Sequence, residues 1–126
     1  MIDQMLRDRR ILIVEDEYLL ANDLHNALRT AGVAVLGPVP SVAAALSMIA
    51  AEAMIDAAVL DINLRGEMVF AVADALRARG VPFAFATGYD QAVVPDRFAD
   101  APRVEKPLKG RQVKAALAPL FAQPAR

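Results

Sequence analysis

The chain has 126 residues, enough for one ordinary domain that buries about two-thirds of its unfolded surface without a disulfide or metal staple. Fourteen basic against fifteen acidic residues leave a net charge of -1, so the overall field favours neither nucleic acid nor a membrane surface. The lack of cysteine excludes thiol catalysis and thiolate-held metal sites, and the single histidine, His25, argues against a Ser-His-Asp hydrolase or a His-rich metal centre. The longest stretch free of charge, residues 30–51, is interrupted by Gly32, Gly37, Pro38 and Pro40, which rules out a continuous apolar helix of bilayer length. Met1-Ile2-Asp3-Gln4 brings in acid early with no apolar core of signal-peptide length, so the expected location is the cytoplasm.

Ile11-Leu12-Ile13-Val14 is a short, continuous, β-branched apolar run ending at Glu15-Asp16-Glu17, the pattern of a strand covered on both faces. Leu20, Leu24, Leu28 and Ala31 then recur at helical spacing up to Gly32, a C-cap residue. Residues 33–36 form a second strand closed by Gly37-Pro38, and Ser41 N-caps a helix carrying Val42, Ala45, Leu46 and Ile49. Ala57-Ala58-Val59-Leu60 is a third apolar run, ending at Asp61, and residues 67–79 make an amphipathic helix with Val69, Val72 and Leu76 inward. Residues 81–86 are a fourth strand. Pro95 is placed in the first turn of a weak helix, leaving residues 88–94 as a loop. A short strand, Arg103-Val104-Glu105, precedes Lys106-Pro107, residues 111–121 form the last helix with Pro119 near its end, and residues 123–126 are a tail.

Five strand–helix cycles predict an α/β fold: a doubly wound, five-stranded parallel sheet with right-handed crossovers and helices on both faces. In such sheets ligands bind beyond the carboxyl ends of the strands. The residues there are Glu15 and Asp16 after the first strand, Asp61 after the third, Thr87 after the fourth and Lys106 after the fifth. Three carboxylates converging without a cation would repel one another, so the arrangement predicts a divalent ion, and all-oxygen ligation favours Mg²⁺. Asp16 and Asp61 suit direct ligation, with Glu15 acting through water. Lys106 and Thr87 are what a phosphoryl group needs, a point cation and a hydroxyl donor, and Asp61 then becomes the nucleophile that forms an acyl phosphate.

This set, Glu15-Asp16, Asp61, Thr87 and Lys106-Pro107 in strand order, resembles the receiver domain of two-component response regulators over residues 10–122. The resemblance implies that Asp61 accepts a phosphoryl group from a histidine kinase or histidine phosphotransfer protein. It implies Mg²⁺ held by Asp16, Asp61 and the backbone carbonyl of Asn63, Thr87 and Lys106 on the phosphoryl group, and a cis peptide at Lys106-Pro107. Phe85-Ala86-Thr87-Gly88-Tyr89 also resembles the motif of the single-domain receivers called FATGUY, mostly from alphaproteobacteria. Two positions depart from the family. Arg103 stands where a switch aromatic is usual, and Arg65 replaces a frequent proline four residues after the phosphoacceptor, which is expected to leave that loop less constrained.

Each residue also has a plainer role open to it. Glu15-Asp16 could be a solvated loop, Thr87 could bond its own backbone, Lys106-Pro107 could be a turn, and His25 reads as a helix residue at the boundary of the apolar stripe. Tyr89, two residues past Thr87, is a candidate shield of the acyl phosphate. Arg103, Lys106, Lys109, Arg111 and Lys114 against the lone Glu105 suggest either a solvated face or a basic docking surface for an acidic partner protein, one side of which would be Arg103, Lys109, Arg111 and Lys114. Two rival functions remain: a Mg²⁺-dependent phosphohydrolase, disfavoured because Asn63 stands where a proton-relaying Asp is needed, and an unphosphorylated pseudo-receiver that only binds partners. The receiver occupies nearly all of residues 1–126, with no output domain expected.

Overall fold

Along Ile11-Leu12-Ile13-Val14 successive side chains point to opposite faces of a sheet, and all four are buried because both faces are covered. Leu12 and Val14 join one apolar cluster, with Leu60, Val72, Leu76 and Phe85, while Ile11 and Ile13 join the other, with Leu6, Leu24, Val113 and Leu117. The computed structural model that shows this describes residues 2–88, 94–106 and 108–121.

The elements run α1 (Ile2–Leu6), β1 (Arg10–Val14), α2 (Tyr18–Thr30), β2 (Ala34–Val39), α3 (Val42–Ala51) and β3 (Ala57–Asp61). A small hairpin, β4 (Asn63–Leu64) and β5 (Glu67–Met68), follows, then α4 (Phe70–Ala78), β6 (Phe83–Thr87), β7 (Arg103–Glu105) and α5 (Gly110–Leu117), with 3₁₀ turns at Asp96–Phe98 and Ala118–Phe121. The main sheet has five parallel strands in the order β2-β1-β3-β6-β7, the doubly wound arrangement predicted. α1, α2 and α5 cover one face and α3 and α4 the other.

Several expectations are corrected. β2 does not stop before Gly37-Pro38 but passes through it to Val39, with a cis Gly37-Pro38 bond and a register shift opposite Leu12 and Val14. In α3 the Ser41 hydroxyl accepts from the Ala44 amide at 3.1 Å as a cap should, and Val42, Ala45 and Ile49 are buried, but Leu46 faces outward. α4 begins at Phe70 rather than at residue 67, because the preceding residues are taken by the hairpin, while Val69, Val72 and Leu76 are all fully buried. After Pro95 only one 3₁₀ turn forms among the described residues. Packing onto α4 holds that turn: Phe98 is fully buried and stacked on Phe70 at 5.8 Å between ring centroids, and the Arg97 guanidinium forks Asp74 with two contacts of 3.0 Å. Most of the predicted loop at residues 88–94 lies outside the described residues, as does the predicted tail at residues 123–126.

α1 has no counterpart among the predicted elements. Its five residues are too few to form a helix alone, and the helix persists because Leu6 is completely buried against the face formed with Val113 and Leu117. Asp3 meets Lys114 at 3.2 Å, and Arg9 lies over the Phe121 ring at 4.5 Å. α2 and α5 approach so closely that a Cβ built on Gly110 would fall 2.5 Å from the Ala27 Cβ, so glycine is required there by space.

Candidate functional site

Strand register assembles the site. Val14 pairs with Leu60, Asp61 with Ala86, and Thr87 with Glu105, so Glu15, Asp61, Thr87 and Lys106 step off neighbouring strands at one carboxyl edge. The Lys106 amide donates to the Thr87 carbonyl at 2.8 Å and the Glu15 amide to the Val39 carbonyl at 3.0 Å, extending the ladder into the site. Apolar runs that end at polar residues thus deliver the polar side chains to a rim whose floor is the core.

There Glu15 and Asp61 are each 4% exposed and Thr87 1%. The Lys106 ammonium lies 3.0 Å from Asp61 Oδ2 and 3.7 Å from Glu15 Oε1. Glu15 Oε2 accepts from the Glu17 amide at 3.0 Å. Asp61 Oδ2 and Glu15 Oε1, which face the ammonium as ion pairs, and Thr87 Oγ1 are buried and have no hydrogen-bond partner among the described residues. Buried polar atoms are rarely left in this condition, and three together mark a place shaped for a ligand. A cavity of about 390 Å³ opens on Asp61 and Thr87, lined also by Asp16, Asn63, Arg65 and Lys106.

The electrostatics follow. Burial, reinforced by the neighbouring Asp61 charge, pushes the Glu15 carboxyl up to about 7, against the opposing pull of the Glu17 amide and Lys106. Burial also raises Asp61, with Lys106 pulling the other way. For Lys106 burial acts downward, but Asp61 and Glu15 outweigh it and the ammonium is held above the ordinary lysine value. One carboxylate oxygen from each of Glu15, Asp16 and Asp61 lies within 4.8 Å of the others. Oxygen-only donors, two of them destabilised as anions and carrying unpartnered atoms, fit a hard divalent cation, which would relieve the repulsion.

All the side chains predicted for the site are therefore brought together. Asn63 lines the cavity, and its side-chain oxygen accepts from the Gly66 amide at 2.6 Å. Pro107, and with it the expected cis bond after Lys106, lies outside the described residues, as does Tyr89. His25 is half-buried on α2, as a boundary residue should be. Arg103, Lys109 and Arg111 are exposed, whereas Lys114 is half-buried and pairs with Asp3.

The loop after Asp61 is a hairpin with Arg65 at φ 55° and Gly66 at φ 93°, left-handed at both central positions as a tight two-residue turn demands. From it Arg65 reaches back to Asp16, with Nε 3.4 Å from Oδ2. No sequence signal links residues 49 apart.

No protein-family model and no curated protein matches the chain. Solved structures do. The chain is 45% identical to SdrG from Sphingomonas melonis Fr1, with a TM-score of 0.79 and 91% of this chain and 98% of that one covered. A BeF3-activated conformation of SdrG, ascribed to Pseudomonas melonis Fr1, matches at 45% identity, TM-score 0.75, covering 90% and 96%. The response regulator receiver protein from Sinorhizobium medicae WSM419 matches at 29% identity, TM-score 0.77, covering 92% and 96%.

Proposed function

The chain belongs to the response-regulator receiver family, and from that premise we propose that it is a phosphoryl-accepting switch modified on Asp61. The observation that carries this reading is the buried Asp61 carboxylate, 3.0 Å from the Lys106 ammonium, lining one open cavity with a Thr87 hydroxyl that has no hydrogen-bond partner among the described residues. The donor would be a phosphohistidine on a histidine kinase or histidine phosphotransfer protein. An Asp61 carboxylate oxygen attacks phosphorus, the N–P bond breaks, its electron pair returns to the imidazole nitrogen, and an acyl phosphate remains.

Lys106 holds the negative charge on the transferred group and Thr87 donates its hydroxyl to a phosphoryl oxygen. Mg²⁺, held by Asp16, Asp61 and the Asn63 carbonyl with Glu15 through water, would supply charge neutralisation when bound. Glu15 and Asp61 both need that relief, since burial disfavours their charged forms. Turnover as a phosphohydrolase is disfavoured, because the Asn63 amide cannot relay a proton and its oxygen is engaged by Gly66. Output then runs through protein contacts, for which the exposed Arg103, Lys109 and Arg111 suit an acidic partner. Assignment to the FATGUY-type single-domain receivers, on Phe85-Ala86-Thr87-Gly88-Tyr89, is part of the same proposal.

The test is intact mass after incubation with Mg²⁺ and acetyl phosphate, beside a chelator control. A single phosphoryl adduct that the chelator abolishes supports the switch. No adduct, there or with a histidine kinase, would make the chain a pseudo-receiver.

A further inference from the structure

The site's charge balance singles out Arg65. Glu15, Asp16 and Asp61 are three acids in one cluster, and among the described residues two cations pair with them: Lys106, which serves Asp61 and Glu15, and Arg65, whose salt bridge is to Asp16. Lys106 is planted, with its side chain 24% exposed, whereas Arg65 is 82% exposed and touches a carboxylate that is itself only 9% exposed. The Arg65 backbone is fixed by the tight turn and by the Asn63–Gly66 hydrogen bond, so its guanidinium is aimed at the cavity mouth while its tip stays free to leave. The guanidinium takes up part of the acceptor capacity of the Asp16 carboxylate and sets a positive charge beside it, and both oppose a dication arriving there.

We propose that Arg65 is a built-in counter-cation that competes with the divalent ion for Asp16, so that its departure is a step in metal binding and its charge sets the affinity of the site. This rests on the reading of Glu15, Asp16 and Asp61 as metal ligands. Exposed ion pairs are weak, so Arg65 acts as a moderate competitor and not as a block. Removing it takes away both the occupied oxygen and one positive charge near the incoming dication, which together correspond to about a three- to tenfold gain in affinity.

Isothermal titration of Mg²⁺ into the intact chain at fixed pH and ionic strength measures this directly. Arg65→Ala and Arg65→Gln should both bind about three- to tenfold more tightly than the unaltered protein. Arg111→Ala, which removes the same charge elsewhere, should stay within about twofold because salt screens distant surface charges. Gln keeps the long side chain and guards against an effect of hairpin packing. Unchanged or weaker binding in both Arg65 variants overturns the inference, and so does an equal gain in Arg111→Ala, which would make the effect one of net charge. Failure of the unaltered protein to bind Mg²⁺ would instead strike at the metal-site reading itself.

Discussion

The two ends of the sheet hold the same kinds of residue and treat them in opposite ways. At the amino end, Arg10 donates its amide to Asp56 at 2.8 Å, its Nε to the Met54 carbonyl at 2.8 Å, and pairs with Glu52. Arg79 bonds the Ile49 carbonyl and the carbonyls of Glu52 and Ala53 at 2.9 and 3.0 Å, closing the end of α3. Acids and cations there are matched to one another and to the backbone. At the carboxyl end Glu15, Asp61 and Thr87 keep buried polar atoms with no hydrogen-bond partner among the described residues, and one ammonium is shared between two of the acids. Saturated polar groups hold a structure together, and unsaturated ones are held open for something that arrives.

That contrast can be broken or sharpened by experiment. The largest effect is expected from Asp61→Ala, which should abolish the phosphoryl adduct altogether in the intact-mass assay while the protein stays folded. An adduct persisting in that variant would place the acceptor elsewhere.

Next comes pH. The Glu15 carboxyl, ordinarily near 4.5, is held near 7 in the fold, so between these values the folded state binds more protons than the unfolded one. Stability of the chelated protein is therefore greatest on the acid side of this window and declines as pH rises through about 7, by roughly 1–3 kcal/mol. Thermal melts under chelator should show it, Glu15→Gln should flatten it, and added Mg²⁺ should counter the loss at the upper end.

At the other end of the sheet Arg79→Ala should destabilise by about 1–2 kcal/mol with little change in adduct formation, since it strips bonds from carbonyls and leaves the site alone. Denaturant unfolding and mass together decide this. The smallest effect is expected for Lys114→Ala, which breaks a pair with Asp3 at neither end and should cost about 0.5 kcal/mol or less. It sets the baseline against which both ends are judged.

Most of the site could be read in the sequence because Glu15, Asp61 and Thr87 directly follow apolar runs and Lys106 follows a short last strand, and in a parallel sheet those positions share an edge. The central strands were legible for the same reason: Ile11-Leu12-Ile13-Val14 and Ala57-Ala58-Val59-Leu60 cannot be solvated on either face. What escaped was held by contacts distant in sequence. α1 exists through Leu6 against the α5 face, β4 and β5 have two residues each and no periodicity to detect, and the turn after Pro95 is stabilised by Phe98 and Arg97 on α4 instead of by its own helical pattern. The reach of Arg65 to Asp16 belongs to the same class, since a positive φ at an arginine leaves no compositional trace.

The contact between Gly110 and Ala27 carries a mechanical consequence. α2 follows Glu15 and Asp16 in the chain and α5 follows Lys106, so two helices next in line after the site's charges rest on each other where a side chain is missing. A single added methyl at residue 110 would be a wedge that Ala27 or α5 must move to admit, at a point remote from the chemistry. The missing side chain is thus a spacer of zero thickness.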